Sequence, residues 1–215
     1  MGDRWATFDC YGTLIDWNAG IRAEFARVFG DEHADELLER YHDVEPEIEH
    51  EDPSRPYREV MTEAMRRLGA PAGEESGLAR SLPGWPPFPE TQAALSEARD
   101  RGWKLAILSN TDRDLLEASI ERLGVSIDRS VVAGDIGSYK PAHRHWDRFF
   151  EETGADRARH VHVAQSHFHD IVPATELRLR SIWINRRGEQ GDPPPTRELP
   201  DLTRLVATLD ELVPE

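Results

Sequence analysis

Five short apolar segments divide this chain: Trp5–Phe8, Lys104–Leu108, Val131–Ala133, Val161–Ala164 and Ile182–Ile184. Each is a run of a few residues with no polar face, the signature of a strand buried on both sides. Helical periodicity fills the intervals at Thr91–Arg101, Asp112–Leu123, Ala142–Thr153 and Asp170–Arg178, and Gly102, Gly124 and Gly154 stand where helices should stop. Strand alternating with helix predicts an α/β fold, because parallel neighbours are joined by right-handed crossovers over the sheet faces. One interval breaks the pattern. From about residue 18 to 80 the chain reads as helix after helix, at Ile21–Phe29, Ala34–His42 and Tyr57–Leu68, with an acidic, proline-broken stretch at Glu45–Pro56. The proline-rich run from Leu82 to Pro89 then returns the chain to the alternating part. The expected division is a sheet core of residues 1–17 and 84–215 with a helical insertion of residues 18–83. Gly188–Pro200 reads as a surface excursion, and Leu202–Leu212 as a last amphipathic helix.

Chemistry-bearing residues gather where the strands end. Asp9 follows Phe8 and precedes Gly12, which lets the backbone turn beside the carboxylate. In open α/β sheets that carboxyl edge is where ligands bind. Ser109 and Asn110 end the second strand, and with the following helix start they form an anion cradle, though both are also ordinary helix caps, as is Asp112. Pro141 is suited to the first position of a helix, which leaves Lys140 at its mouth. An ammonium there would keep Asp9 ionised and offset charge on an incoming anion, unless Lys140 is merely a surface turn residue. Asp170 closes the run Gln165-Ser166-His167-Phe168-His169-Asp170 as a second carboxylate or a helix cap. Asp16, Asp128 and Asp135 are simpler as turn acids. His167 and His169 read as wall residues, with proton transfer or metal ligation as competing uses. His160 and His162 share a strand face and read as structural or exposed.

Charge narrows the partners. With 41 acidic against 26 basic residues the formal charge is −15, which argues against nucleic acid. It would also slow anionic substrates unless the pocket is locally positive. Lys104 and Lys140 are the only lysines in an arginine-rich chain, so each marks either a specific need or a chance survivor. No apolar run approaches the roughly 18 residues of a membrane span, and the early first strand leaves no room for a signal peptide. Cys10 is the only cysteine, so a disulfide-free protein of the reducing cytoplasm is expected.

Taken together and in order, Asp9, Ser109-Asn110, Lys140 and Asp170 resemble the haloacid dehalogenase superfamily over the whole chain. The resemblance implies a Rossmann-like core with a helical cap after the first strand. Phosphatases of that superfamily carry a second aspartate two residues after the nucleophile; this chain has Tyr11, which resembles the (S)-2-haloacid dehalogenases. The resemblance then implies hydrolytic, metal-independent dehalogenation of a small anionic substrate, by a monomer or homodimer. Asp9 would be the nucleophile, Ser109 and Asn110 would hold the substrate carboxylate, and Lys140 would stabilise Asp9. Asp170 would position or deprotonate the hydrolytic water, and Tyr11 would line the pocket. The dehalogenases have Ser-Ser-Asn-Ala-Trp-Asp at the fourth motif, where this chain places Gln165, His167 and His169 in the substrate wall. A cap arginine assists halide release in the family, and Arg40 is the nearest match by position. The alternative is a Mg²⁺-dependent phosphatase, with Asp9, Asp170 and the Tyr11 carbonyl around the metal.

Overall fold

A computed structural model describes residues 2–215. It contains a six-stranded sheet in the order β3-β2-β1-β4-β5-β6. The strands are β1 Arg4–Phe8, β2 Trp103–Ser109, β3 Arg129–Val132, β4 His160–Ala164, β5 Arg180–Ile184 and β6 Arg197–Leu199. Every neighbouring pair is parallel. The chain steps outward from β1 to β3 on one side, then returns beside β1 and steps outward the other way. The switch in direction lies between β1 and β4, the kind of crevice in which doubly wound sheets bind ligands. Phe8 pairs with Ile107 on one side and Val163 on the other. Asp9, Ser109 and Gln165 therefore leave the sheet at one edge.

Alternation along the strands feeds two cores. Ala6 and Phe8 of β1, with Leu105 and Ile107 of β2, join the larger apolar cluster, whereas Trp5, Ala106 and Leu108 face Trp146 and Phe149 in the smaller one. Helices α1 Trp17–Phe29, α2 Asp31–Glu51, α3 Tyr57–Arg67 and α4 Gly77–Ser81 stand between β1 and β2. Their Ile21, Phe25, Tyr41, Ile48, Met61 and Met65 belong to the larger cluster. Each such burial is worth about 1.5–3 kcal/mol. Asp112, at the end of β2, fastens the two parts further: its carboxylate accepts from the backbone N–H groups of Tyr57 (3.1 Å) and Arg58 (3.0 Å). Those are orphan donors of α3, whose own cap, Pro56, offers no side-chain acceptor.

Three expectations change. α2 does not end near His42; it continues through Pro46 to Glu51. A helical proline costs about 3 kcal/mol, and here the second half of α2 buries Ile48 and the flanks of Glu45 and Glu49, which offsets it. The proline-rich tail contains β6, too short for any alternation to show, which extends the sheet beside β5. Pro141 is not the first residue of a helix, since α8 spans Arg144–Thr153. The remaining helices are α5 Thr91–Asp100, α6 Arg113–Leu123, α7 Ala133–Ile136, α9 Val172–Glu176 and α10 Leu205–Leu212. Among the described residues no helix is long and apolar enough to cross a membrane.

Candidate active site

A cavity of about 420 Å³ opens at the carboxyl edge of the sheet. Asp9, Tyr11, Ser109, Asn110, Lys140, Gln165, His169 and Asp170 all line it. At its floor the Lys140 ammonium lies between two carboxylates, 2.9 Å from Asp9 Oδ1 and 2.7 Å from Asp170 Oδ1. Its third hydrogen goes to the Leu108 carbonyl at 2.9 Å, so all three donors are used. Burial works against the charge on Lys140, but Asp170 and Asp9 outweigh it and raise the ammonium pKa. Asp9 is raised by its burial, with Lys140 opposing that rise. Asp170 is also fully buried, yet Lys140 and a hydrogen bond from His162 hold its carboxyl down to about 2.

Each of these side chains is held by something else. Thr13 Oγ1 donates to Asp9 Oδ2 at 2.8 Å and accepts from the Gln165 backbone N–H at 2.9 Å. Gly12 makes that turn with φ +91°, and a Cβ there would come within 2.8 Å of Gln165 Oε1. The Asn110 side chain clamps the Lys140 backbone from both ends: Oδ1 accepts from its N–H (2.6 Å) and Nδ2 donates to its carbonyl (3.0 Å). This clamp, rather than a helix mouth, positions Lys140. Behind Asp170, His162 Nε2 donates to Oδ1 at 3.0 Å, since a carboxylate can only accept. On the other side of the ring His162 Nδ1 meets the Thr7 hydroxyl at 2.8 Å, and Thr7 Oγ1 also meets His160 Nε2 at 2.8 Å. Desolvation drives the His160 pKa well down, keeping that ring neutral. Its Nδ1 is correspondingly left without a partner.

A family model described as haloacid dehalogenase-like hydrolase matches residues 4–171. The chain belongs to that family. Among relatives of this haloacid dehalogenase-like hydrolase, (S)-2-haloacid dehalogenase 4A of Burkholderia cepacia is 26% identical over 221 residues, spanning 98% of this chain and 94% of the relative. A phosphoserine phosphatase of Thermus thermophilus is 29% identical over 151 residues, 67% of this chain and 61% of the relative. A solved L-2-haloacid dehalogenase superposes with a TM-score of 0.86 at 25% identity, covering 98% of this chain and all of the other.

Two expected site residues of this hydrolase lie elsewhere. Arg40 is exposed on α2 and does not line the cavity. The cavity's arginines are instead Arg186 and Arg187, from the segment after β5. Arg186 stacks on Phe88 and pairs with Glu90 at 2.8 Å. His167 turns outward, its Nε2 meeting the Pro193 carbonyl at 2.9 Å and its ring packing on Trp183. His169 does face the cavity. Its Nδ1 meets Ser166 Oγ at 3.0 Å, and desolvation lowers its pKa to about 4, so the ring is neutral through ordinary pH. Tyr11 lines the cavity while its hydroxyl meets Ser119 Oγ at 3.0 Å; burial pushes its phenol well above 10.

Sequence reasoning missed Thr13, His162, Glu45, Glu49 and Tyr57, the last three of which line the cavity from α2 and α3. Glu45 is visible in retrospect. Ala34, Leu37, Tyr41, Glu45 and Ile48 form one buried stripe at helical spacing, and Glu45 is the polar member of it. His160 and His162, read as structural or exposed, are fully buried. Asp16 caps α1, Asp128 accepts from Leu105 N–H, and Asp135 pairs with Arg113, which accounts for the three rival acids.

Proposed function

We propose that this hydrolase dehalogenates short 2-haloalkanoic acids without a metal, through an aspartyl ester. The observation that carries the reading is the Lys140 ammonium bridging Asp9 and Asp170. It supplies, from the chain itself, the positive charge that a nucleophilic carboxylate and an anionic substrate both need. An Asp9 oxygen attacks the α-carbon, the C–halogen bond breaks, and halide leaves with the bonding pair. Water then adds to the Asp9 carbonyl carbon, and cleavage of the ester releases the 2-hydroxy acid and restores the carboxylate. Ser109 Oγ has no partner within the protein and is free to donate to the substrate carboxylate, together with the second Asn110 Nδ2 hydrogen. Asp170, held down to about 2, fixes Lys140 and positions or deprotonates the hydrolytic water, and the neutral His169 imidazole on the cavity wall is a second acceptor for that proton. The helices of residues 18–83 act as a cap that limits water at the site. The lone, buried Cys10 suits a cytoplasmic setting.

The phosphatase reading has one observation in its favour: Asp170 Oδ2 is buried without a partner. A magnesium ion held by Asp9, Asp170 and the Tyr11 carbonyl would use it. Position 11 weighs against that reading, because an alkoxide leaving group needs an acid and a phenol well above 10 is a poor one. The deciding experiment is halide release from (S)-2-chloropropionate with and without EDTA, beside Asp9→Asn. Release that survives EDTA and vanishes in Asp9→Asn is the expected result. Hydrolysis of p-nitrophenyl phosphate only with added Mg²⁺, and no halide release, would replace it with the phosphatase.

A further inference from the structure

The wall of the cavity formed by α2 is acidic, and no arginine or lysine among the described residues is paired with it. Glu45 and Glu49 both line the cavity from successive turns of α2, and each is only 7% exposed. Glu45 accepts one hydrogen bond, from the Tyr57 hydroxyl at 3.0 Å. Glu49 has no hydrogen-bond or ion-pair partner among the described residues, although more than nine-tenths of the residue is buried. No arginine or lysine pairs with either. Across the cavity the Ser109 hydroxyl is likewise buried and unpartnered. The charges lining the whole cavity are lopsided too: Asp9, Asp16, Glu45, Glu49 and Asp170 face Lys140, Arg186 and Arg187. Lys140 is already saturated by the floor carboxylates, and Arg186 is paired with Glu90.

A simple haloalkanoate would leave this wall uncompensated, since its tail is apolar and offers no donor. Burial of unpaired carboxylates is costly, and a group retained at that cost needs a partner that arrives with the ligand. Burial already shows its effect: it raises Glu45 to about 7, and burial with the neighbouring Glu45 charge raises Glu49 too, against the Lys140 charge. We infer that the substrate carries a primary ammonium group as well as its carboxylate, and that Glu45 and Glu49 receive that ammonium. The substrate class is then a small amino acid bearing its leaving group near the carboxylate. This deepens the dehalogenase reading and rests on it for the reaction, but not for the recognition.

Recognition is separable from turnover. Binding of ω-amino acids from β-alanine to 6-aminohexanoate, measured by calorimetry on the wild-type protein, is compared with binding of alkanoates of matched length. At one chain length the amino acid should bind on the order of tenfold tighter or more, as a buried charge-assisted contact allows. Glu49→Gln, which keeps the shape but cannot give up a proton to become an anion, should abolish that preference, and Glu45→Gln should reduce it. Equal binding of both series, or a preference that survives in both variants, overturns the inference. Halide release from (S)-2-chloropropionate is scored separately. Release without amine preference leaves the dehalogenase standing and removes this inference; amine preference without release does the reverse.

Discussion

The two sides of the cavity hold their carboxylates in opposite ways. At the sheet edge Asp9 and Asp170 share one ammonium whose three hydrogens are all engaged; Thr13 adds a hydrogen bond to Asp9 and His162 one to Asp170 Oδ1. On α2, Glu45 and Glu49 are buried as deeply as Asp9 but meet a single phenol. A cation with every hydrogen engaged holds its carboxylates in one geometry, suited to repeating one chemical step. An unsaturated set is held ready for a group the protein lacks. On the proposed reading the chemistry resides on the sheet and the selectivity on the inserted helices, and each side should respond differently when its charges are changed.

The largest effect is expected at the floor. Lys140→Met leaves two buried carboxylates facing each other with no cation, and breaking a buried pair from one side costs about 3–5 kcal/mol. Halide release should fall by on the order of a thousandfold, because the charge that steadies nucleophile and substrate is gone. Steady-state kinetics and a urea titration on the same preparation check this. Near-wild-type turnover would mean that the floor is not the catalytic side.

The second test exploits the opposite shifts of Asp170 and Glu45. Asp170 is depressed to about 2, so its contribution to stability is present above its unfolded pKa near 4 and is lost as pH falls towards 2. Glu45 is raised to about 7, so the folded state binds a proton that the unfolded state has released. Its contribution is present below about 4.5 and is lost as pH rises through 7. Glu45→Gln keeps an acceptor for Tyr57 and removes the titration. At about pH 8 the variant should be more stable than wild type by roughly 1–3 kcal/mol, with the gap closing by about pH 4.5. Urea midpoints at the two pH values measure it. Parallel curves would show that the α2 wall is not under electrostatic strain.

The same contrast explains what could be read from the residues alone. Asp9, Ser109, Lys140 and Asp170 sit where strands or turns end, and local sequence marks such positions through an apolar run, a glycine or a proline. Their order then restricts them to one sheet edge. Thr13 lay in the same motif, but its bond to Asp9 depends on how the Gly12 turn closes, which spacing does not report. His160 and His162 were visible as two residues on one strand face; their partner Thr7 lies on β1, more than 150 positions away. The α2 wall was hidden for a different reason. Pro46 argues locally for a helix end, and only the packing of Tyr41 and Ile48 against the core carries the helix past it. With a helix expected to end at His42, Glu45 and Glu49 fall in an irregular stretch with no face.

Arg40 shows the same limit at its smallest scale. Tyr41, one position on, lies on the buried stripe of α2, and a helix turns about 100° per residue, so Arg40 points off that stripe. It is exposed, and it does not line the cavity. Arg40→Ala should therefore leave both KM and kcat for halide release within about twofold and change stability by less than about 0.5 kcal/mol. Parallel kinetics on Arg187→Ala give the contrast, since Arg187 lines the cavity and Arg40 does not. A tenfold loss in Arg40→Ala with Arg187→Ala unaffected would require α2 to roll towards the sheet during turnover. That motion would bring Arg40 inward and carry Glu45 and Glu49 out of the cavity, reversing the division between a catalytic floor and a selective wall.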